Sequence, residues 1–219
     1  MCGRYALHAH PDVIALQFGL SAVPRFPPRY NIAPSTEVLI VRAPDGARTA
    51  AQARWGLVPR WSKDPAIGAR LNNARAESVA EKPAFRDAYR RRRCLVPASG
   101  FYEWKAEAGG RQPYYIRPAR GELLALAGLW ERWNGPQGPL ETCVIVTTDA
   151  NPAMRPIHDR MPVIIGPEDY ALWLDCRPDS DPAPLLRPCD PQEIAVRRVR
   201  RAVNNARHES ATLIEPDDR

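Results

Sequence analysis

Apolar residues occur in short runs along this chain, and proline, glycine or charged residues separate the runs. The runs are rich in β-branched and aromatic residues, which is typical of strands. Strands are predicted at 37–42, 47–58, 94–99, 101–105, 113–117, 122–130, 141–148 and 193–199. The turn Pro44-Asp45-Gly46 joins the first two strands, and Gly109-Gly110 fits a hairpin turn later in the chain.

Three other segments carry helical signals. Pro11 begins a predicted helix that ends at about Phe18, and Gly19 follows it, an arrangement common at helix termini. Helices are also predicted over Pro83–Arg92 and Pro167–Leu174. No segment approaches the roughly 18 uninterrupted apolar residues that a membrane span requires.

The order of these elements indicates the fold class. The 24 prolines are spread through 219 residues, which disfavours long helices, and strands do not alternate regularly with helices. We therefore predict an α+β fold, with residues 1–219 as a single compact domain on a curved, mostly antiparallel, barrel-like β-sheet with a few short helices. The segment Cys176–Pro191 is rich in Pro and Asp and is predicted to be a mobile surface loop.

Composition and charge narrow the classes of function. The formal net charge of +6 fits a polyanionic partner such as nucleic acid, although arginine enrichment also follows from GC-rich coding DNA. The five cysteines have no zinc-binding spacing, so neither a metal nor a disulfide framework is expected, and Cys94 and Cys143 are predicted to be core thiols. The polar N-terminus is unlike a secretory signal, which predicts a cytoplasmic location.

Cys2 directly follows the initiator Met1. Removal of Met1 would leave an α-amine and a thiol on one residue, with reference pKa values of about 7.7–8.0 and about 8.5. The amine can capture an aldehyde as an imine, and the thiolate can then close a five-membered thiazolidine ring at an effective molarity of about 10⁵ M or more. By position alone, chance is the simpler explanation for this cysteine.

Three further motifs contain candidate catalytic or binding residues. Glu103 lies between two aromatic residues in a predicted strand, where burial would raise its pKa toward that of a general acid, unless strand alternation turns it to solvent. His158 is adjacent to Asp159 and could transfer protons, or could cap a turn. Asn73 and Arg75 suit a sugar hydroxyl and a phosphate, but Asn73 could equally be a helix N-cap.

Two residues suggest contacts with a nucleic-acid strand. Trp61 follows Pro59-Arg60 in a predicted loop, where its indole could stack on an unpaired base. Arg4 lies two residues from Cys2 and could hold a phosphate near the chain terminus.

Several motifs recur in one order along nearly the whole chain. They are MCGRYAL (1–7), RYNIAPS (29–35), RWGLVPRW (54–61), NARAES (73–78), RCLVPASGFYEWK (93–105), AGLWERW (127–133), TTDAN (147–151), PIHDRMPVII (156–165) and VNNARHES (203–210) followed by LIEP. With these motifs the chain resembles the SOS-response-associated peptidase family, also called abasic-site processing proteins. Asn72 and Ser78 depart from the usual pattern, but neither is a residue with a chemical role.

The resemblance implies a function and a set of site residues. It implies that Cys2, exposed by removal of Met1, bonds covalently to the aldehyde of an abasic site in single-stranded DNA, and that a lyase reaction is a side branch. The implied catalytic residues are Cys2, Asn73, Glu103 and His158. The residues implied to contact the DNA or to form the pocket wall are Arg4, Asn31, Pro34, Trp61, Arg75 and Thr147. The family fold is one compact α/β domain with a barrel-like sheet and a basic groove.

Two other functions remain open at this point. Cys2 with Glu103 and His158 could form a cysteine peptidase or autopeptidase, the latter acting on its own N-terminus. The arginines and tryptophans alone would suit a non-catalytic single-strand-binding module. We expect a monomer that uses no cofactor and no metal, has no membrane partner, and associates with the nucleoid when it is bound to damaged DNA.

Overall fold

The computed structural model describes residues 2–217 and has an α+β fold with two sheets and a few short helices. Strands in the described residues are β1 Tyr5–Leu7, β2 Arg29–Ile32, β3 Glu37–Arg42, β4 Thr49–Trp55, β5 Asn73–Arg75, β6 Arg93–Ala98, β7 Gly100–Glu107, β8 Gly110–Pro118, β9 Leu124–Gly135, β10 Gly138–Asp149, β11 Arg160–Pro162 and β12 Ile194–Arg198. The α-helices are α1 Pro11–Phe18, α2 Arg86–Arg91 and α3 Tyr170–Leu174. Short 3₁₀ segments occupy Pro65–Arg70, Ala76–Ser78, Pro167–Asp169, Ala183–Leu185, Pro191–Glu193, Arg201–Asn204 and Ala211–Ile214.

One sheet closes into a small barrel. Its strands pair in the order β10, β4, β3, β6 and β9, and β9 pairs again with β10, which closes the circle. All of these pairs are antiparallel except β10 with β4. The short strand β5 also pairs in parallel with β10, and β11 pairs with the end of β10. The prediction of a mostly antiparallel, barrel-like sheet is therefore confirmed.

The second sheet is wholly antiparallel and has the order β12, β8, β7, β1 and β2. It joins the barrel where β6 runs directly into β7 through Ser99. The first residue of β7 is Gly100, and no larger residue would fit there. A Cβ atom would lie 2.5 Å from the ring of Tyr115 and 2.6 Å from the carbonyl oxygen of Ile116. This close approach packs the start of β7 directly against β8.

A large apolar core is shared by the barrel strands and the helices α1 and α3. Its largest fully buried side chains include Trp55, Trp173 and Phe18. Cys94 and Cys143 are fully buried, as predicted, and burial raises the pKa of the Cys143 thiol to about 12. These thiols therefore remain protonated at neutral pH and contribute only packing.

The predicted helices are confirmed with changes at their ends. Helix α1 has the predicted bounds, and Gly19 ends it in the left-handed conformation at φ 63°. The helix predicted over 83–92 is shorter, because the carbonyl oxygen of Lys82 accepts hydrogen bonds from both Phe85 and Arg86 and tightens the first turn. The helix predicted over 167–174 divides into a 3₁₀ segment and α3.

The sequence patterns missed strands β1, β2, β5 and β11, each only three or four residues long, because so short a segment shows no periodicity. Within the segment predicted to be a loop, Leu185 is buried and the Cys189 carbonyl oxygen accepts a hydrogen bond from Asn151. These contacts attach Cys176–Pro191 to the core at two points. None of the helices in residues 2–217 is long and apolar enough to cross a membrane.

Candidate active site

Cys2 lies at the meeting point of the two sheets. It is fully buried, and its carbonyl oxygen accepts a hydrogen bond of 2.8 Å from the side-chain amide of Asn73. Burial raises the pKa of the Cys2 thiol well above its usual value, and the nearby Glu103 carboxylate raises it further. In this environment the sulfur is held as a neutral thiol. Met1 lies outside the described residues, so its predicted removal is not tested.

Glu103 comes from β7, the strand beside the N-terminal segment. The backbone N–H of Tyr102 donates to the carbonyl oxygen of Arg4 at 2.9 Å, which aligns the two segments. Glu103 is only 2% exposed, so the alternative in which strand alternation turns it to solvent is wrong. Burial raises the pKa of this carboxyl group, and the charge of His158 opposes the increase. Glu103 therefore lies in an environment that suits a general acid or base.

His158 lies in the turn before β11 and is partly buried. Its Nδ1 accepts a hydrogen bond of 3.0 Å from the backbone N–H of Arg160, and lies 2.8 Å from the Asp159 carboxylate. The backbone of its own turn thus fixes the imidazole, which agrees with the alternative in which His158 caps a turn. Its electrostatic interaction with Glu103 places it at the same site.

Arg160 and Glu77 connect the His158 turn to the segment that follows Asn73. The guanidinium of Arg160 donates to both carboxylate oxygens of Glu77, at 2.7 and 3.0 Å, and also to Asp149 and to the carbonyl oxygen of Thr147. A bidentate pair of this kind fixes geometry as well as adding attraction. The sequence patterns did not indicate a role for Arg160 or Glu77 at the site, although each lies in a motif that contains a predicted site residue.

Asn73 itself lies in strand β5 and not at a helix start. Asn73 pairs with Ile145 of β10, and Arg75, without a side-chain cap, precedes the 3₁₀ segment Ala76–Ser78. The N-cap alternative for Asn73 is therefore wrong. The parallel pairing with β10 turns the Asn73 amide to the Cys2 backbone.

Arg4 and Asn31 hold the C-terminal segment Val203–His208 against the second sheet. Arg4 Nη1 donates to Asn31 Oδ1 at 2.6 Å and to the carbonyl oxygen of Val203 at 3.1 Å. Asn31 Nδ2 donates to the carbonyl oxygens of Asn205 and His208, at 3.0 and 2.7 Å. These side chains therefore attach the C-terminal segment to β2 and to the residue before β1, and the sequence patterns did not indicate this contact.

The remaining predicted contact residues differ in exposure. Trp61 is 60% exposed, with its indole N–H donating to the carbonyl oxygen of Pro83, and Arg75 is exposed too. Thr147 is fully buried, and its hydroxyl donates to the carbonyl oxygen of Ala74, so it supports β5 from behind. Pro34 is half-buried and precedes Ser35, whose φ is 70°. Among residues 2–217, no group of three or more His, Cys, Asp or Glu residues is placed to hold a metal ion.

The family follows from this fold and site together with comparisons with known proteins. The profile of the SOS response associated peptidase (SRAP) family matches residues 1–206. The chain belongs to this family.

Individual relatives cover nearly the whole chain. The abasic site processing protein YoqW of Bacillus subtilis (strain 168) is 41% identical over an alignment of 223 positions, which covers 98% of this chain and 99% of YoqW. The abasic site processing protein HMCES of Gallus gallus is 34% identical over 88% of this chain and 67% of its own length. A crystal structure of a protein from Bacteroides thetaiotaomicron superimposes with a TM-score of 0.88 at 25% identity, covering 98% of this chain and 99% of that one.

Proposed function

We propose that this protein processes abasic sites in single-stranded DNA by forming a covalent cross-link through Cys2 after removal of Met1. The cross-link is a thiazolidine that shields the lesion. Relatives such as YoqW and HMCES are named abasic site processing proteins, which supports the substrate class. In this proposal residues 1–219 act as one domain and one monomer, and the protein associates with the nucleoid when it is bound to damaged DNA.

The observation that carries the proposal is the placement of an ionisable pair beside the second residue of the chain. Cys2 accepts a hydrogen bond from Asn73, and it interacts electrostatically with Glu103, which interacts in turn with His158. A structural thiol would need none of these groups. An N-terminal amine and thiol that open and trap a sugar aldehyde would use all of them.

The proposed chemistry begins with the α-amine. Glu103 and His158 move protons so that the sugar ring opens to its aldehyde form. The amine of Cys2 adds to C1′, and the resulting carbinolamine loses water to give an iminium ion. The thiol then adds across the C=N bond: sulfur bonds to C1′, the nitrogen keeps a proton, and the thiol proton passes to a base. Overall, one thiazolidine ring forms and one water molecule is released.

The raised pKa of the Cys2 thiol is compatible with this order of steps. An iminium ion formed two bonds away brings a positive charge beside the sulfur, which lowers the pKa of the thiol at the moment when it must react. Ring closure is also intramolecular, so a small thiolate fraction suffices. Glu103, whose carboxylate interacts electrostatically with the Cys2 thiol, could accept the proton.

Because an imine at C1′ acidifies the neighbouring carbon, β-elimination of the 3′ phosphate is a side branch in this scheme. Abasic-site lyase activity would therefore appear when closure of the thiazolidine is prevented. The alternative of a cysteine peptidase has less support, because a peptidase nucleophile needs a lowered thiol pKa, and burial raises the pKa of Cys2.

Intact mass spectrometry tests the proposal. The purified protein is mixed with a single-stranded oligonucleotide that contains one abasic site, and we expect a mass equal to protein without Met1 plus DNA minus one water. Cys2→Ala should lose this stable product, whereas Cys2→Ser should give an imine that only borohydride reduction preserves. Cys176→Ala, which changes a partly exposed cysteine elsewhere, is the matched control and should react as the wild type does.

Two results would contradict the proposal. One is an undiminished stable adduct with Cys2→Ala. The other is a mature protein that retains Met1 and still forms the product at the wild-type rate.

A further inference from the structure

A second basic feature lies away from Cys2. It is a cleft of about 800 Å³ between the turn after β3, the end of α2 and the segment after α3. Trp130 forms one side of it. Five arginines line the cleft, against two aspartates: Arg42, Arg48, Arg91, Arg93 and Arg177. We call this feature the arginine cleft.

The floor of the arginine cleft carries a buried positive charge. Arg93 is 3% exposed, and its guanidinium donates to the carbonyl oxygens of Trp173, Tyr89 and Asp175. No carboxylate of the described residues lies within 4.0 Å of it, since its partners are all backbone carbonyls. Its charge makes no direct ion pair, and the Asp175 carboxylate interacts with it only at longer range, so the cleft remains attractive to an anion.

The rim provides cations that an incoming ligand can reach. Arg91 is exposed, and within residues 2–217 it makes no side-chain hydrogen bond or ion pair. Arg48 uses Nη1 to donate to the carbonyl oxygen of Phe18, which leaves its other donors for a ligand. Arg42 lies over the ring of Trp130, 4.4 Å from its centroid, and forms an aromatic and cationic platform.

Strand β10 relates the position of the arginine cleft to that of the candidate active site. Arg42 of the cleft pairs with Glu141 near the start of β10, at 3.0 Å. Thr147, six residues later on the same strand, lies beside Arg75 and Pro162. At about 3.3 Å per residue, Glu141 lies about 13 Å along β10 from Ile145, the pairing partner of Asn73, and about 20 Å from Thr147.

Helix α2 extends the basic surface from the arginine cleft toward Trp61. Pro83, just before the helix, accepts the hydrogen bond from the exposed Trp61. Arg86 and Arg90 are exposed on the helix, and Arg91 at its end lines the arginine cleft. An exposed aromatic residue followed by regularly placed cations is the arrangement that follows a single-stranded nucleic acid.

We propose that the arginine cleft is a second binding site for the phosphate backbone of a nucleic-acid strand, separate from the site around Cys2. A long strand would lie along α2 and occupy both places, whereas a short strand would occupy only the lesion site. A polyanion is favoured over a small phosphorylated ligand, because the cations extend along α2 and are not confined to the cleft. This inference does not depend on the chemistry proposed for Cys2.

The experiment measures binding of undamaged single strands of two lengths by fluorescence anisotropy over a range of salt concentrations. All proteins carry Cys2→Ala, so that no covalent product can form and failure of the proposed cross-linking would not affect the result. The test variants are Arg91→Glu and Arg48→Gln. The matched control is Arg120→Glu, an exposed arginine in the turn between β8 and β9.

We expect Arg91→Glu to weaken binding of the long strand about tenfold relative to the short strand. The slope of log K against log salt for the long strand should fall by about 0.7 for each phosphate contact that is lost. Arg48→Gln should act in the same direction, and Arg120→Glu should change the ratio little. The inference is overturned if Arg91→Glu and Arg48→Gln bind the long strand as the control does, or if both strand lengths lose affinity equally.

Discussion

The side-chain amide of Asn73 donates a hydrogen bond of 2.8 Å to the backbone carbonyl oxygen of Cys2. Asn73 is held from behind, since its strand pairs in parallel with β10 of the barrel. The most N-terminal described residue is thus positioned by the closed barrel and not only by its own sheet. If the α-amine of Cys2 reacts with a sugar aldehyde, this hydrogen bond sets where the amine points.

Replacement of Asn73 by Ala should therefore slow adduct formation more than it reduces stability. A hydrogen bond of this kind contributes about 1 kcal/mol, which corresponds to a rate roughly five- to tenfold lower on an abasic single strand. The rate is measured by denaturing gel electrophoresis of single-turnover reactions. Asn72→Ala is the matched control, because the contacts of Asn72 with Trp55 and Ile145 are made by its backbone carbonyl oxygen. Equal rates for the two variants would remove Asn73 from the mechanism.

Much of the barrel could be predicted from sequence because its strands are long. Strand β3 has the predicted bounds, and β9 and β10 contain the predicted 122–130 and 141–148 runs almost entirely. In each of these the apolar residues face the core, so that burial leaves a pattern in the sequence. Helix α1 could be predicted for a different reason, since Pro11 and Gly19 mark its ends directly.

The arrangement of the site could not be predicted in the same way. Asn73 and Arg160 lie in three-residue strands whose positions depend on pairing with β10, a partner distant in the sequence. The contact of Asn31 with Asn205 spans 174 residues, and no local pattern encodes it. Residue types could suggest candidate chemistry for Glu103 and His158, but only the fold shows that Glu103 is buried.

The buried carboxyl group of Glu103 predicts a pH dependence of stability. Burial raises its pKa in the folded protein above that in the unfolded chain, so the folded state binds the proton more tightly. Its contribution to stability is therefore greatest below the unfolded pKa of about 4.3 and declines as the pH rises through the folded value. Glu103→Gln, which stays neutral, should be more stable than the wild type at pH 7, and the difference should shrink toward pH 4.

Urea unfolding at several pH values measures this effect. Glu122→Gln, an exposed glutamate, is the control and should follow the wild type at every pH. A Glu103→Gln protein that is less stable than the wild type at pH 7 would mean that the carboxylate is stabilised in the folded state. The same variant should also form the adduct more slowly, because it cannot transfer a proton.

We call the bidentate ion pair of Arg160 with Glu77 the clamp, and we predict that it helps to position His158. Glu77→Gln removes the carboxylate that accepts two hydrogen bonds from Arg160, and Arg160 also supplies the backbone N–H that holds His158 Nδ1. Because Glu77 is half exposed, we expect a loss of stability below about 1 kcal/mol. Adduct formation should be slower by about threefold to tenfold.

A structural and a positioning role for this clamp differ in their pH profiles. If the His158 imidazole is displaced, the pH profile of the adduct rate should change for Glu77→Gln, whereas a purely structural loss would lower the rate equally at each pH. Glu81→Gln, an exposed glutamate on the same segment, is the matched control. An unchanged rate and profile for Glu77→Gln would show that the turn holds His158 without the clamp.

The hydrogen bonds of Asn31 are predicted to hold the C-terminal segment in place. Its side chain is 4% exposed, accepts from Arg4 and donates to two carbonyl oxygens of Val203–His208. Asn31→Ala leaves these groups without their partner, and we expect a loss of about 2–3 kcal/mol. Trypsin should also cleave after the exposed Arg207 more rapidly, because the segment would detach more often.

Asn134→Ala, at an exposed position of β9, should change neither measurement. If Asn31→Ala is as stable as Asn134→Ala and resists trypsin equally, other contacts hold the segment, such as the 2.6 Å hydrogen bond from Trp104 to Asn204.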